Sequence, residues 1–168
     1  FAIDPEKSPR PAKAEPIEFK FKPGRRYPRT PEPRWTPAEE AVLKPWADRM
    51  IRTGAYEHAP DARYASRLHI ALKQIAGEPK DLSGRFDIRI CHDLARANDA
   101  IEKAVANYPD PRAAIEKAAG HIAYISTDAH AQFNIFRVAA GETRESMTVW
   151  APGHGKICPR RLIFGTIN

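Results

Sequence analysis

Aromatic rings alternate with cations near the start of the chain: Phe19-Lys20-Phe21-Lys22, then Arg25-Arg26-Tyr27, then Arg29, then Arg34-Trp35. Side chains of these types act on nucleic acid in two ways. Lysine and arginine neutralise phosphates, and aromatic faces stack on unpaired bases. The expected nucleic-acid-binding residues are therefore Lys20, Lys22, Arg25, Arg26, Tyr27, Arg29, Arg34 and Trp35. A second reading fits the same pattern. In it Phe19, Phe21 and Trp35 pin the segment to a protein surface while the charges stay in water. The stretch Arg25-Arg26-Tyr27-Pro28-Arg29-Thr30-Pro31 also meets the loose R-x-x-P-x-x-P spacing of a polyproline ligand, a spacing that sixteen prolines make easy to meet by chance.

A second group of residues has ligand chemistry. His92-Asp93, with His69 upstream and Asp128 downstream, resembles the H…HD…D pattern of the HD-type metal phosphohydrolases. That resemblance implies an all-helical enzyme in which His69, His92, Asp93 and Asp128 hold a divalent cation that activates water. The chain departs from the pattern in the Leu94-Ala95-Arg96 that follows Asp93 and in the short interval from His69 to His92. Cys91-His92 with His154-x3-Cys158 offers two nitrogen and two sulfur ligands to zinc. Adjacent residues chelate poorly, however, and a lone cysteine more often behaves as a small core residue. Pro152-Gly153-His154-Gly155-Lys156 has the flavour of a phosphate loop but lacks its spacing, so it reads as a turn whose glycines accept positive φ. On this reading no metal and no cofactor is assigned.

Two elements must position these groups. The first is an arm, residues 1–35. Nine of the sixteen prolines fall in residues 1–37. Proline at that density removes backbone donors and favours an extended, polyproline-like chain that cannot build its own core. The arm holds nine basic against five acidic residues, so it carries four of the six net positive charges. A local excess of this kind points to a polyanionic partner.

The second element is the body, residues 36–168, and its periodicity predicts helices. Thr36-Pro37-Ala38-Glu39 reads as a capping box, followed by Val42, Leu43, Trp46 and Met50 at helical spacing. Pro45 is expected to kink or interrupt this helix and Gly54 to end it. A second helix is expected after Pro60-Asp61 on the stripe Tyr64, Leu68, Ala71, Leu72 and Ile75, stopping at Gly77. Phe86, Ile88 and Ile90 alternate like a strand. The longer series Phe86, Ile90, Leu94, Ala97, Ile101, Val105 and Tyr108 predicts a third helix over about 81–107. Asp110-Pro111 caps a fourth, with Ile115, Ala118, Ile122 and Ile125 as its stripe. After Thr127, short apolar runs between Gly141, the Pro152–Gly155 turn and Pro159 suit a small antiparallel sheet or an irregular tail.

The expected fold is therefore mainly α: about four helices and a small irregular or β C-terminal segment, behind an extended basic arm. Two cysteines are too few for a disulfide framework, so a reducing intracellular compartment is expected. An organelle matrix fits if a presequence preceded Phe1. No apolar run is long enough for a transmembrane segment. The expected function is a non-enzymatic structural component of a large complex, a ribonucleoprotein of the ribosome kind. RNA or another nucleic acid and other protein subunits would be its partners. The alternatives are a protein-only assembly subunit, of a virion or a membrane-associated enzyme complex, with the arm as a strap, and an HD-type phosphohydrolase.

Overall fold

The computed structural model describes residues 13–24, 30–75, 86–103 and 136–163, together with Arg112, Glu116, Lys117, Ala119 and Gly120. The capping box forms as the sequence predicts. The Thr36 hydroxyl accepts from the Glu39 N–H, and the Glu39 carboxylate accepts from the Thr36 N–H. Helix α1 then runs over Pro37–Arg52 without ending at Pro45, whose ring stays on the exposed side. Its apolar positions Leu43, Trp46, Ala47 and Met50 are buried. They lie against a three-stranded antiparallel sheet of β1 (Tyr56–His58), β4 (Val149–Ala151) and β5 (Gly155–Pro159), in the order β1-β5-β4. Tyr56, Leu68, Val149, Ala151 and Ile157 complete this first core. Alternation explains the choice of residues. Val149 pairs with Ile157 and both point inward, whereas Trp150 pairs with Lys156 and both point away from the core.

Strands β2 (Leu68–Gln74) and β3 (Phe86–His92) form a separate antiparallel ribbon. Ser66 joins it to the first sheet. Its N–H donates to the Thr148 carbonyl at 2.8 Å, and the Trp150 N–H donates to the Ser66 carbonyl at 2.9 Å. A short helix α2 (Ala95–Ala100) and a single turn α3 (Glu142–Glu145) complete the described elements.

The expectation of a mainly α fold is wrong. Of the described residues, 27% are helical and 29% are extended, so the protein is mixed α and β with two antiparallel sheets. The second expected helix is β2, and the third is β3 followed by α2. Leu68 and Leu72 are four residues apart, so they serve a helical stripe, yet with Ile70 they also alternate. Cross-strand pairing decided between the two periods. It sets Ile70 opposite Ile90 and packs both against the first core. Of the two readings for the segment after Thr127, a small sheet or an irregular tail, a sheet forms as β4 and β5, and it recruits β1 from far upstream. Most of the fourth expected helix lies outside the described residues.

A second core is built partly on the arm. Phe19 is buried with Leu94, Ile101, Val138, Met147, Leu162 and Ile163. The backbone around it is stitched on both sides. Ile17 donates to the Arg137 carbonyl and accepts from the Ala139 N–H, both at 2.9 Å. Lys20 accepts from the Glu102 N–H at 2.7 Å, and Lys22 donates to the Ala100 carbonyl at 2.9 Å. The buried Thr143 hydroxyl accepts the Phe19 N–H at 2.9 Å.

Candidate binding cleft

Three stretches that are far apart in sequence meet in one cleft of about 740 Å³: residues 30–32, residues 61–65, and the outward pair Trp150 and Lys156. This size is within the range of small-molecule sites. Trp150 forms a wall. Its indole N–H donates to the Thr30 carbonyl at 3.3 Å, which holds the end of the arm against β4. The Thr30 hydroxyl in turn donates to the Ala65 carbonyl. The Lys156 ammonium donates to the Ala62 carbonyl and lies 5.7 Å from the Trp150 ring centroid, within cation–π range. Arg63, largely exposed, reaches the Glu145 carboxylate at 3.4 Å. Glu32 and Asp61 are exposed carboxylates on the same rim. Tyr64 closes the cleft from within. Burial raises its phenol pKa, so the group stays neutral.

Sequence reasoning missed this cleft. Trp150 read as a sheet residue and Lys156 as part of a small basic patch, and no local signal links either to residues 30–32 or 61–65.

The expected nucleic-acid residues are placed as follows. Lys20 is exposed beside the buried Phe19. The Lys22 ammonium donates to the Asp99 carbonyl at 2.8 Å. Arg34 is exposed, and Trp35 is half-buried on the first core, with the Arg67 guanidinium 5.2 Å from its ring centroid. Arg67 also pairs with Glu39 at 2.6 Å, so Trp35 serves as an anchor in this structure. Arg25, Arg26, Tyr27 and Arg29 lie outside the described residues.

Of the metal set suggested by the resemblance, His69 and His92 are not brought together. Pairing in the ribbon puts His92 on the face of Leu68 and Ile90, and His69 on the opposite face beside Cys91. His69 and Asp93 approach at 4.0 Å on the exposed side. His92 instead stacks on Tyr56, with ring centroids 6.0 Å apart and planes 7° apart, and meets Trp46 edge-on. The Tyr56 hydroxyl, whose pKa burial raises, shares a hydrogen bond with His92 Nε2 at 2.9 Å. Burial pushes the His92 pKa down to about 4, so the ring is neutral. Asp128 lies outside the described residues.

Nor do the zinc candidates converge. Cys91 is exposed, whereas Cys158 is buried. Burial, with the Glu57 carboxylate nearby, pushes the Cys158 thiol up to about 12. Burial works to raise the Glu57 carboxyl, but hydrogen bonds from Arg144 at 2.5 Å and Arg160 at 2.8 Å outweigh it and hold its pKa low. His154 bonds Asp48 at 2.6 Å, which tethers the Gly153 and Gly155 turn, both residues at positive φ, to α1. Among the described residues, no three His, Cys, Asp or Glu side chains are grouped to hold a metal ion. Among the same residues, no helix is long and apolar enough to cross a membrane. No protein-family model matches the chain, and no curated protein matches it.

Proposed function

We propose that the protein is a non-enzymatic subunit of a large ribonucleoprotein assembly, ribosome-like in kind, which binds RNA through its basic arm and neighbouring subunits through its body. One observation supports this reading above the others. Phe19 is sunk in the second core and the backbone of residues 17–22 is bonded on both sides, while Lys20 next to it faces solvent. Cations mounted on a fixed backbone lose less conformational freedom on meeting a phosphate than cations on a free tail. The phosphate contacts on this reading are Lys20, Lys22, Arg25, Arg26, Arg29 and Arg34, with Tyr27 for stacking and Trp35 as anchor. The protein works inside the cell, in a reducing compartment.

The test is the salt dependence of binding to a short single-stranded RNA, followed by fluorescence anisotropy. With about six phosphate contacts and the shallower slope of a single strand, affinity falls by roughly 300-fold between about 50 and 200 mM salt. Changing those six cations to alanine removes most of the binding and flattens the slope. Salt-independent affinity sinks the proposal. Deleting residues 1–35 is a poor substitute, because it also removes Phe19 from the core.

A second reading, a protein-only assembly subunit with the arm as a strap, draws on a different observation: Phe19 and Trp35 already use their rings against protein. It predicts affinity for a partner protein that survives high salt.

A further inference from the structure

We infer that the cleft walled by Trp150 is a receptor for a single unpaired nucleobase. The inference rests on the RNA-binding reading for its partner and deepens it. The walls and the rim carry the argument. An indole and the Pro31 ring supply flat apolar surface. Around them stand two cations, Arg63 and Lys156, and two carboxylates, Glu32 and Asp61. A balanced rim of this kind does not suit a bare phosphate, which the carboxylates repel. A purely apolar ligand would take the charged groups of the rim out of water without offering them a hydrogen bond. It suits a planar group that is uncharged, offers donors and acceptors around its edge, and has a face to stack. A nucleobase has these properties: carboxylates accept from its exocyclic amines, and cations donate to its keto oxygens and ring nitrogens. Trp150 and Lys156 are cross-strand neighbours on one face of a hairpin, and the Thr30 carbonyl fixes the indole edge. The stacking surface is thus set before a ligand arrives. A base held in a duplex cannot enter, so the ligand is a single strand.

The experiment uses the full chain and two strands of equal length: a single-stranded RNA, and the same sugar–phosphate backbone without bases. Stacking on one aromatic residue is worth roughly 5- to 150-fold in affinity. The base-bearing strand should bind tighter by that factor. Trp150→Phe should keep most of the difference and Trp150→Leu should lose it, with folding checked by circular dichroism. In NMR titrations, free cytidine should shift the Trp150 indole N–H resonance. The surface pair Glu32→Gln with Asp61→Asn, which leaves the core untouched, should reduce the preference for cytidine over uridine. Equal binding of the two strands, both salt-sensitive, overturns the nucleobase site and leaves the RNA-binding reading standing. If neither strand binds, that reading fails and cytidine decides the cleft alone: a shifted Trp150 resonance upholds the site and an unmoved one overturns it. A Trp150 shift produced by a proline-rich peptide but not by cytidine also overturns it.

Discussion

His92 shows how one side chain links packing to pH. Its ring is stacked on Tyr56, edge-on to Trp46, and bonded to the Tyr56 hydroxyl. The folded state therefore keeps it neutral down to about 4, against an ordinary value of 6.5. The unfolded chain takes up the proton first as pH falls, so it binds more protons than the folded chain across that window. Stability is then full above the upper value and declines between the two. The ring retains some exposure, so the loss is at most about 3 kcal/mol. Urea unfolding at about pH 7 and about pH 4.5 measures it, and the difference should shrink in His92→Phe. Tyr56→Phe removes one partner and should cost about 1 kcal/mol at neutral pH, read from the same unfolding midpoint.

At the scale of elements, the arm segment and the ribbon behave differently. Residues 17–22 are held on both sides by isolated bridges, Ile17 to Val138 and Phe21 to Ile101, and Phe19 fills the core beneath them. Phe19→Ala should cost about 3–5 kcal/mol by chemical denaturation. Lys20→Ala, one residue away and exposed, should stay within about 0.5 kcal/mol. The ribbon of β2 and β3 is half supported. Its inner pair Ile70 and Ile90 packs on the first core, while Leu72 and Ile88 farther out are 55% and 43% exposed. Leu72→Thr should therefore change stability by less than about 1 kcal/mol, and Ile90→Ala by clearly more. A ribbon of two strands with one supported end is a weak local unit. This is why its residues read as well for a helix as for a strand until the partner strand is known.

For the whole molecule, the two cores give the arm a structural part in addition to any role in binding. Among the described residues, the first core, between α1 and the three-stranded sheet, contains none before Trp35. The second contains Ile17, Phe19 and Phe21. Removing residues 1–35 should therefore lower the melting temperature by about 10 °C or more, as expected for losing a buried aromatic residue and the backbone bonds beside it from a chain of this size. Thermal unfolding of the truncated and full chains measures it. An unchanged midpoint would mean that the second core stands without the arm. The sixfold cation-to-alanine variant should melt close to the parent, which separates binding from folding.

Features that depend on neighbouring residues were legible from the chain itself. The capping box at Thr36 and Glu39, the helix behind it, the turn at Gly153 and Gly155, and the charge of the arm all follow from contacts a few residues apart. Features that depend on a distant partner were not. Whether Leu68 and Leu72 belong to a helix or a strand was settled by β3, and whether Phe19 faces a base or a core was settled by Leu94, Val138 and Leu162. The separation of His69 from His92 has the same origin, because strand pairing set the two residues on opposite faces. The cleft depended most on the fold. Residues 30–32, 61–65 and the pair Trp150 and Lys156 carry no shared pattern, and they meet because antiparallel pairing turns one face of the hairpin outward where the arm ends.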